Sequence, residues 1–163
     1  MFFSWASHAQ LKADWRRFYS IPIINQTGDT LLNPWAGGLN NPQFSAIDLN
    51  FDGKEDLFVF ERDGNKIRTF INEGASGESK FRYDPQYETY FPKLYSFAAL
   101  RDYNNDGKKD IFAHIGSGIG VFKNVSTPTE IKWEQQCYFE DFFGVKQCYL
   151  TMYFGPNKTR TDV

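Results

Sequence analysis

Two short apolar runs, Leu57-Phe58-Val59-Phe60 and Ile111-Phe112-Ala113-His114-Ile115, each follow a dense cluster of acidic and amide residues. Apolar side chains fill both alternating positions of these runs, the pattern of a strand covered on two faces rather than one. Turn-forming residues come next, Asp63-Gly64-Asn65 after the first run and Gly116-Ser117-Gly118 after the second, types that tolerate the positive φ of tight hairpins. A further strand candidate follows each turn, Ile67-Arg68-Thr69-Phe70-Ile71-Asn72 and Gly120-Val121-Phe122-Lys123-Asn124. Phe81-Arg82-Tyr83 and Ile131-Lys132-Trp133 read as additional short strands, and residues 14–24 offer one more upstream. Helical periodicity is weak throughout, so the pattern predicts an all-β chain.

The chain also resembles itself. Ala46-Ile47-Asp48-Leu49-Asn50-Phe51-Asp52-Gly53-Lys54-Glu55-Asp56-Leu57-Phe58 returns 54 residues later as Leu100-Arg101-Asp102-Tyr103-Asn104-Asn105-Asp106-Gly107-Lys108-Lys109-Asp110-Ile111-Phe112. Beyond the turns the register slips by two, so that Phe70 and Asn72 match Phe122 and Asn124. A unit of about four antiparallel strands repeated at this spacing is the signature of a propeller blade, which buries its faces against neighbouring blades. Two blades are recognisable, whereas a closed ring takes about four to eight, so the expectation is an incomplete propeller. The corresponding division is 1–9 as a signal-peptide remnant, 10–33 as an N-terminal strand region, 34–90 and 91–136 as the two repeats, and 137–163 as the start of a further blade or a C-terminal β segment.

Composition narrows the function. With 41% apolar and 18% aromatic residues the chain has the material for a packed core, and its net charge of −2 gives no basic surface for nucleic acid. No run of about 18 apolar residues exists, which argues against a membrane-spanning helix. Met1 to Gln10 looks like the tail of a secretory signal cleaved after Ala9, without the positively charged start of a complete one. The two cysteines, Cys137 and Cys148, would close a short loop in an oxidising compartment and stay as buried thiols in a reducing one. Three triplets, at Asn25, Asn124 and Asn157, fit glycosylation acceptors. His114 stands where the first copy has Phe60 and reads as a packed or edge residue.

The acidic clusters carry the chemistry. Asp48, Asn50, Asp52 and Asp56 place oxygen donors at positions one, three, five and nine of a loop whose glycine, Gly53, permits a sharp bend. Asp102, Asn104, Asp106, Gly107 and Asp110 repeat the arrangement. With the backbone carbonyl of Lys54 or Lys108 at position seven, each loop offers three carboxylates, an amide oxygen and a carbonyl. Water or bidentate binding brings that set to the 6–8 oxygens preferred by Ca²⁺, so two calcium sites are expected. Magnesium demands a stricter octahedron, and soft metals would want sulfur or imidazole. An EF-hand is excluded because position twelve is Val59 or Ala113 instead of glutamate, and the flanks are strand-like.

These two loops resemble the FG-GAP or VCBS-type repeats of integrin-like β-propellers and secreted bacterial proteins. The lead-in Trp35-Ala36-Gly37-Gly38-Leu39-Asn40-Asn41-Pro42-Gln43-Phe44 is similar to segments that precede such repeats in secreted Bacteroidetes-type proteins. The pattern departs from the family in lacking a literal Phe-Gly and Gly-Ala-Pro pair. The resemblance implies calcium held through the loop positions, a blade-like fold, and a secreted or cell-surface module for adhesion or ligand binding with an extracellular protein or glycan as partner. It implies no enzyme; the alternatives are an architectural spacer in a larger surface protein and a calcium-dependent hydrolase fragment.

Overall fold

The computed structural model describes residues 21–75, 77–78, 80–115, 118–137, 139–140 and 146–147. Strands β1 (Pro42–Ile47), β2 (Asp56–Glu61), β3 (Lys66–Asn72) and β4 (Phe81–Tyr83) form one antiparallel meander in that spatial order. A short 3-10 helix, Pro85–Tyr90, then leads to a second meander of β5 (Tyr95–Arg101), β6 (Asp110–Ile115), β7 (Gly118–Asn124) and β8 (Trp133–Gln135). The helix starts where Pro85 has no N–H in need of an acceptor and Asp84 accepts the N–H of Gln86 at 3.3 Å. Phe139–Glu140 (β9) and Lys146–Gln147 (β10) pair as a separate two-stranded ladder. Neither four-stranded sheet closes on itself, so the protein is all-β with two blade-like units.

The two-sided burial expected for the apolar runs is realised in the first, whereas in the second Ile111 and Ala113 are buried but Phe112, His114 and Ile115 only partly. Phe58, Val59 and Phe60 are completely buried, yet they serve different layers. Phe58 and Phe60 join Ile47 and Ile71 in a core shared with Ala98, Leu100, Ile111, Ala113 and Phe122 of the second sheet. Val59 points the other way, into a smaller cluster with Phe70, Tyr83 and Ala36 of the lead-in segment. Between the sheets Phe91 packs on Phe58 at 4.7 Å and stacks on Trp133 at 5.4 Å. Burial of a residue pair such as Phe58 and Phe60 contributes about 1.5–3 kcal/mol per side chain, which makes the sheet-to-sheet layer the dominant apolar contact.

Strand register explains the two-residue slip in the repeat. Leu57 pairs Phe70 in the first sheet and Ile111 pairs Phe122 in the second, so the ladders are equivalent. The first hairpin leaves four residues between its last pair, Glu61 and Lys66, and the second leaves two between Ile115 and Gly118. The slip is therefore absorbed by the turn, which is two residues shorter in the second unit, and the pairing of the ladders is unchanged.

Two expectations shift. The fourth strand of the second unit runs over Trp133–Gln135 instead of centring on Ile131-Lys132-Trp133, because the preceding residues are held in a tight loop. In that loop the Val125 N–H donates to Lys132 O at 3.0 Å, and Thr127 bridges Glu130. Strand β5 carries a bulge between Tyr95 and Ala98, with Ser96 at φ 57°. Its Ser96 N–H donates to Asn65 Oδ1 at 2.7 Å and its carbonyl accepts from Arg62 Nε at 2.8 Å, both from the first hairpin turn.

The described residues 21–31 belong to the first of two units into which the chain divides. Its described part is a polar turn in which Ile24 bridges Thr30, and Asn25 Oδ1 accepts the N–H groups of Thr27 and Asp29, each at 2.9 Å. Residues 14–20 of the strand expected there, the leader-like segment 1–9, and Cys148 lie outside the described residues. Cys137 is disulfide-bonded.

Candidate metal-binding loops

Each acidic cluster connects the first strand of its sheet to the second, β1 to β2 and β5 to β6. The loop curls because its own side chains replace ladder partners. Asp48 receives the N–H of Asp52 at 3.2 Å on Oδ1 and that of Gly53 at 2.9 Å on Oδ2. Asn50 Oδ1 accepts Asp52 N–H at 3.1 Å, and Asp52 Oδ1 accepts Lys54 N–H at 2.9 Å. In the second loop Asp102 receives Asp106 at 3.3 Å and Gly107 at 2.9 Å, Asn104 receives Asp106 at 3.1 Å, and Asp106 receives Lys108 at 3.0 Å. Gly53 and Gly107 sit at φ 82° and 84°, a region that only glycine enters without steric cost.

Positions one, three and five are thus gathered onto one bend in both copies. Position nine behaves differently. Asp56 and Asp110 are buried to 1% and 0% exposure at the base of the loop. Asp56 Oδ2 accepts Leu49 N–H at 2.8 Å and its Oδ1 accepts Asn72 N–H at 2.8 Å. Asp110 repeats this with Tyr103 at 3.2 Å and Asn124 at 2.8 Å. Each aspartate therefore ties its loop to the third strand of the sheet. A carboxylate oxygen has two lone pairs, so one remains on each oxygen after these bonds.

Among the described residues no three His, Cys, Asp or Glu side chains form a ready-made metal cluster. The bend instead offers two carboxylates and an amide, with the third carboxylate seated beneath. Electrostatics link the two layers. Burial pushes the Asp56 carboxyl above its ordinary value, its two backbone donors pull it back, and the charges of Asp48 and Asp52 push it up again. Asp52 is held below its ordinary value by the Lys54 N–H, against a small opposing effect of burial. Asp106 is lowered first by the Asn104 amide and then by the Lys108 N–H. Such a loop suits a hard cation that neutralises pooled negative charge through oxygen donors.

The Lys54 and Lys108 side chains turn across the loop, with Nζ donating to Gly74 O at 3.1 Å and to Ser126 O at 2.7 Å. A pair that the spacing left without a role completes the frame. Asn72 Nδ2 donates to Glu55 O at 3.3 Å while its Oδ1 accepts from Gly74 and Lys80, each at 3.1 Å. Asn124 does the same with Lys109 O at 3.0 Å and the Ser126 N–H at 3.0 Å. The signal was present in the sequence as matching asparagines at the ends of two equivalent strands. Burial of Asn124 and its engaged amide also remove it as a glycosylation acceptor in the folded chain.

Two meanders, each with a polar bend of the same construction between its first two strands, define a repeat of propeller-like blades. Residues 48–113 match the family model described as FG-GAP-like repeat. The match begins on the first aspartate of one loop and ends in β6 beyond the second, so that span is similar to an FG-GAP-like repeat. Neither the curated proteins nor the solved structures yielded a match.

Proposed function

We propose that the chain is a secreted or cell-surface recognition module whose two acidic loops each hold one Ca²⁺ as a structural ion. The observation that supports this reading above others is the duplicated hydrogen-bond frame, in which Asp48-Asn50-Asp52 and Asp102-Asn104-Asp106 curl around the same geometry. A bend that concentrates carboxylates at the surface and leaves a buried one below carries a repulsive cost that an ion offsets. When bound, calcium would supply charge neutralisation and crosslink the β1–β2 and β5–β6 connections. The residues that would hold it are those at positions one, three, five and nine, with the Lys54 and Lys108 carbonyls. Adhesion or ligand binding would then fall to the surfaces that the stiffened loops and hairpin turns present.

Calorimetric titration with Ca²⁺, paired with melting in calcium and in chelator, tests the assignment. Two sites are expected, and a hundredfold excess over Kd should add about 2.7 kcal/mol per site if the ion binds only the folded form. Asp52→Ala and Asp106→Ala should each remove one site. Two intact sites in the double variant would overturn the reading.

A further inference from the structure

At the end of the first sheet opposite its acidic loop, a groove of about 500 Å³ runs between the β2–β3 turn and the connection from the 3-10 helix into β5. That volume is within the range of small-ligand sites. Its lining includes three cations, Lys66, Arg68 and Lys93, against one anion, Glu88. Arg68 and Glu88 largely answer each other, since Arg68 Nη1 lies 3.9 Å from Glu88 Oε2, Tyr83 donates to Glu88 Oε1 at 2.9 Å, and Arg68 Nε donates to Ala36 O at 3.0 Å. Glu61, the ladder partner of Lys66, has its carboxylate turned to the N–H groups of Asn40, Asn41 and Asp63. Lys66 and Lys93 are left exposed, with no ion pair at either among the described residues.

The groove is built, and it is not a by-product of the repeat. Its floor is the buried Phe91 and Leu94, and its wall is fixed by the β5 bulge, where Ser96 takes φ 57° under the double grip of Arg62 and Asn65. Bulges and strained residues re-aim side chains at functional positions. Here the neighbour on the bulge, Tyr95, lines the groove while 48% exposed. The ladder of β1, the equivalent strand of the first sheet, runs without any shift, and the shorter second hairpin offers Gly118, Ile119 and Gly120 where the first has Lys66, Ile67 and Arg68.

We infer that this groove binds an acidic saccharide, with Lys66 and Lys93 meeting its carboxylate or sulfate groups and Tyr95 packing on a sugar ring. Two exposed ammonium groups without a salt bridge, Lys66 acting on the Glu61 carboxylate only at longer range, suit together with an exposed aromatic ring a ligand that is anionic and presents C–H faces. An extended acidic peptide fits less well. Such peptides add to a free strand edge, and the neighbouring β5 edge is closed: Ser96, Ala98 and Leu100 already donate their N–H groups to Asn65, Gln43 and Ser45. The inference deepens the recognition half of the proposed function and rests on it, but draws nothing from calcium.

The test is binding of uronate-containing and sulfated oligosaccharides, with chitohexaose as neutral comparison and poly-glutamate as peptide comparison, each in calcium and in chelator. The expected result is retention of an acidic saccharide, weakened by added salt, with neither comparison bound. Lys66→Ala/Lys93→Ala should weaken it by about ten-fold or more, since each 1.4 kcal/mol is one decade. Lys66→Arg/Lys93→Arg should retain it, and unchanged melting of both variants excludes misfolding. No acidic saccharide bound, equal binding by the alanine variant, or preference for poly-glutamate would overturn the inference. Calcium titration on the same samples reads the loops separately, so a failed groove and a failed metal assignment are told apart.

Discussion

Phe51 and Asn105 occupy the same place in the two loops and the same backbone region, φ 60° and 58°. Asparagine tolerates that left-handed conformation, whereas a bulky residue is strained there, and Phe51, still 36% exposed, recovers only part of what a fully buried ring would contribute. Phe51→Asn is therefore expected to stabilise the protein by about 1 kcal/mol in urea denaturation; unchanged stability would show that the aromatic ring compensates. The opposite outcome belongs to the buried aspartates. Asp56→Ala or Asp110→Ala strips two backbone N–H groups of their acceptor, and each orphaned donor costs about 1–3 kcal/mol. A loss below about 1 kcal/mol in chelator would mean that water replaces the carboxylate. Spacing alone singles out both residues as expected loop donors, but the anchoring of β3 and β7 that they perform was hidden, because it depends on strands 14–16 residues away.

The loops are near copies, yet their surroundings differ by one charge. Lys123 of β7 lies 3.8 Å from Asp106 Oδ2, and Ile71 holds the matching position in β3. A cation already beside one donor competes with a metal, so the second loop is expected to bind calcium more weakly than the first, and Lys123→Gln should narrow the gap. Equal affinities in single-site variants would count against this. Contact between the sheets is likewise set by particular side chains. Gln43 Oε1 accepts Ala98 N–H at 3.0 Å and Ser45 Oγ accepts Leu100 N–H at 3.1 Å, closing the β5 edge with side chains from β1. Gln43→Ala/Ser45→Ala should lower stability by about 1 kcal/mol per lost bond, measured by urea denaturation. The same substitutions would be silent if β5 found other acceptors.

For the protein taken together, the carboxyl groups pull in opposite directions with pH. A carboxyl raised by folding, as Asp56 is by burial, contributes stability that is fully present below its unfolded value and fades as pH climbs through the folded one. Asp52, Asp106 and Glu61 are lowered, so their contribution is present above the unfolded values and is lost as pH falls through the folded ones. In Glu61 burial opposes the shift, and the N–H groups of Asn40, Asn41 and Asp63 together outweigh it. In chelator, stability should therefore rise slightly on acidification from neutral into the window just above the ordinary carboxylate range, and fall below it. With calcium the rise should vanish, because protonating Asp56 expels the ion. Urea denaturation across that window checks both curves, and a steady fall without calcium would contradict the role given to Asp56.

Much of this protein is local in origin and so can be read along the chain. The strands follow from apolar runs bounded by turn residues, and the two bends from Asp, Asn and Gly at fixed spacing, because hydrogen bonds over two to five residues need no distant partner. Which face of β2 meets the second sheet, where β5 bulges, and how Asn72 and Asn124 brace the loops depend on groups brought together from 14 to 55 residues apart. The groove flanked by Lys66 and Lys93 is of this second kind. Its two lysines lie on separate segments, and only the packing of one blade-like sheet on the other gives them a common opening.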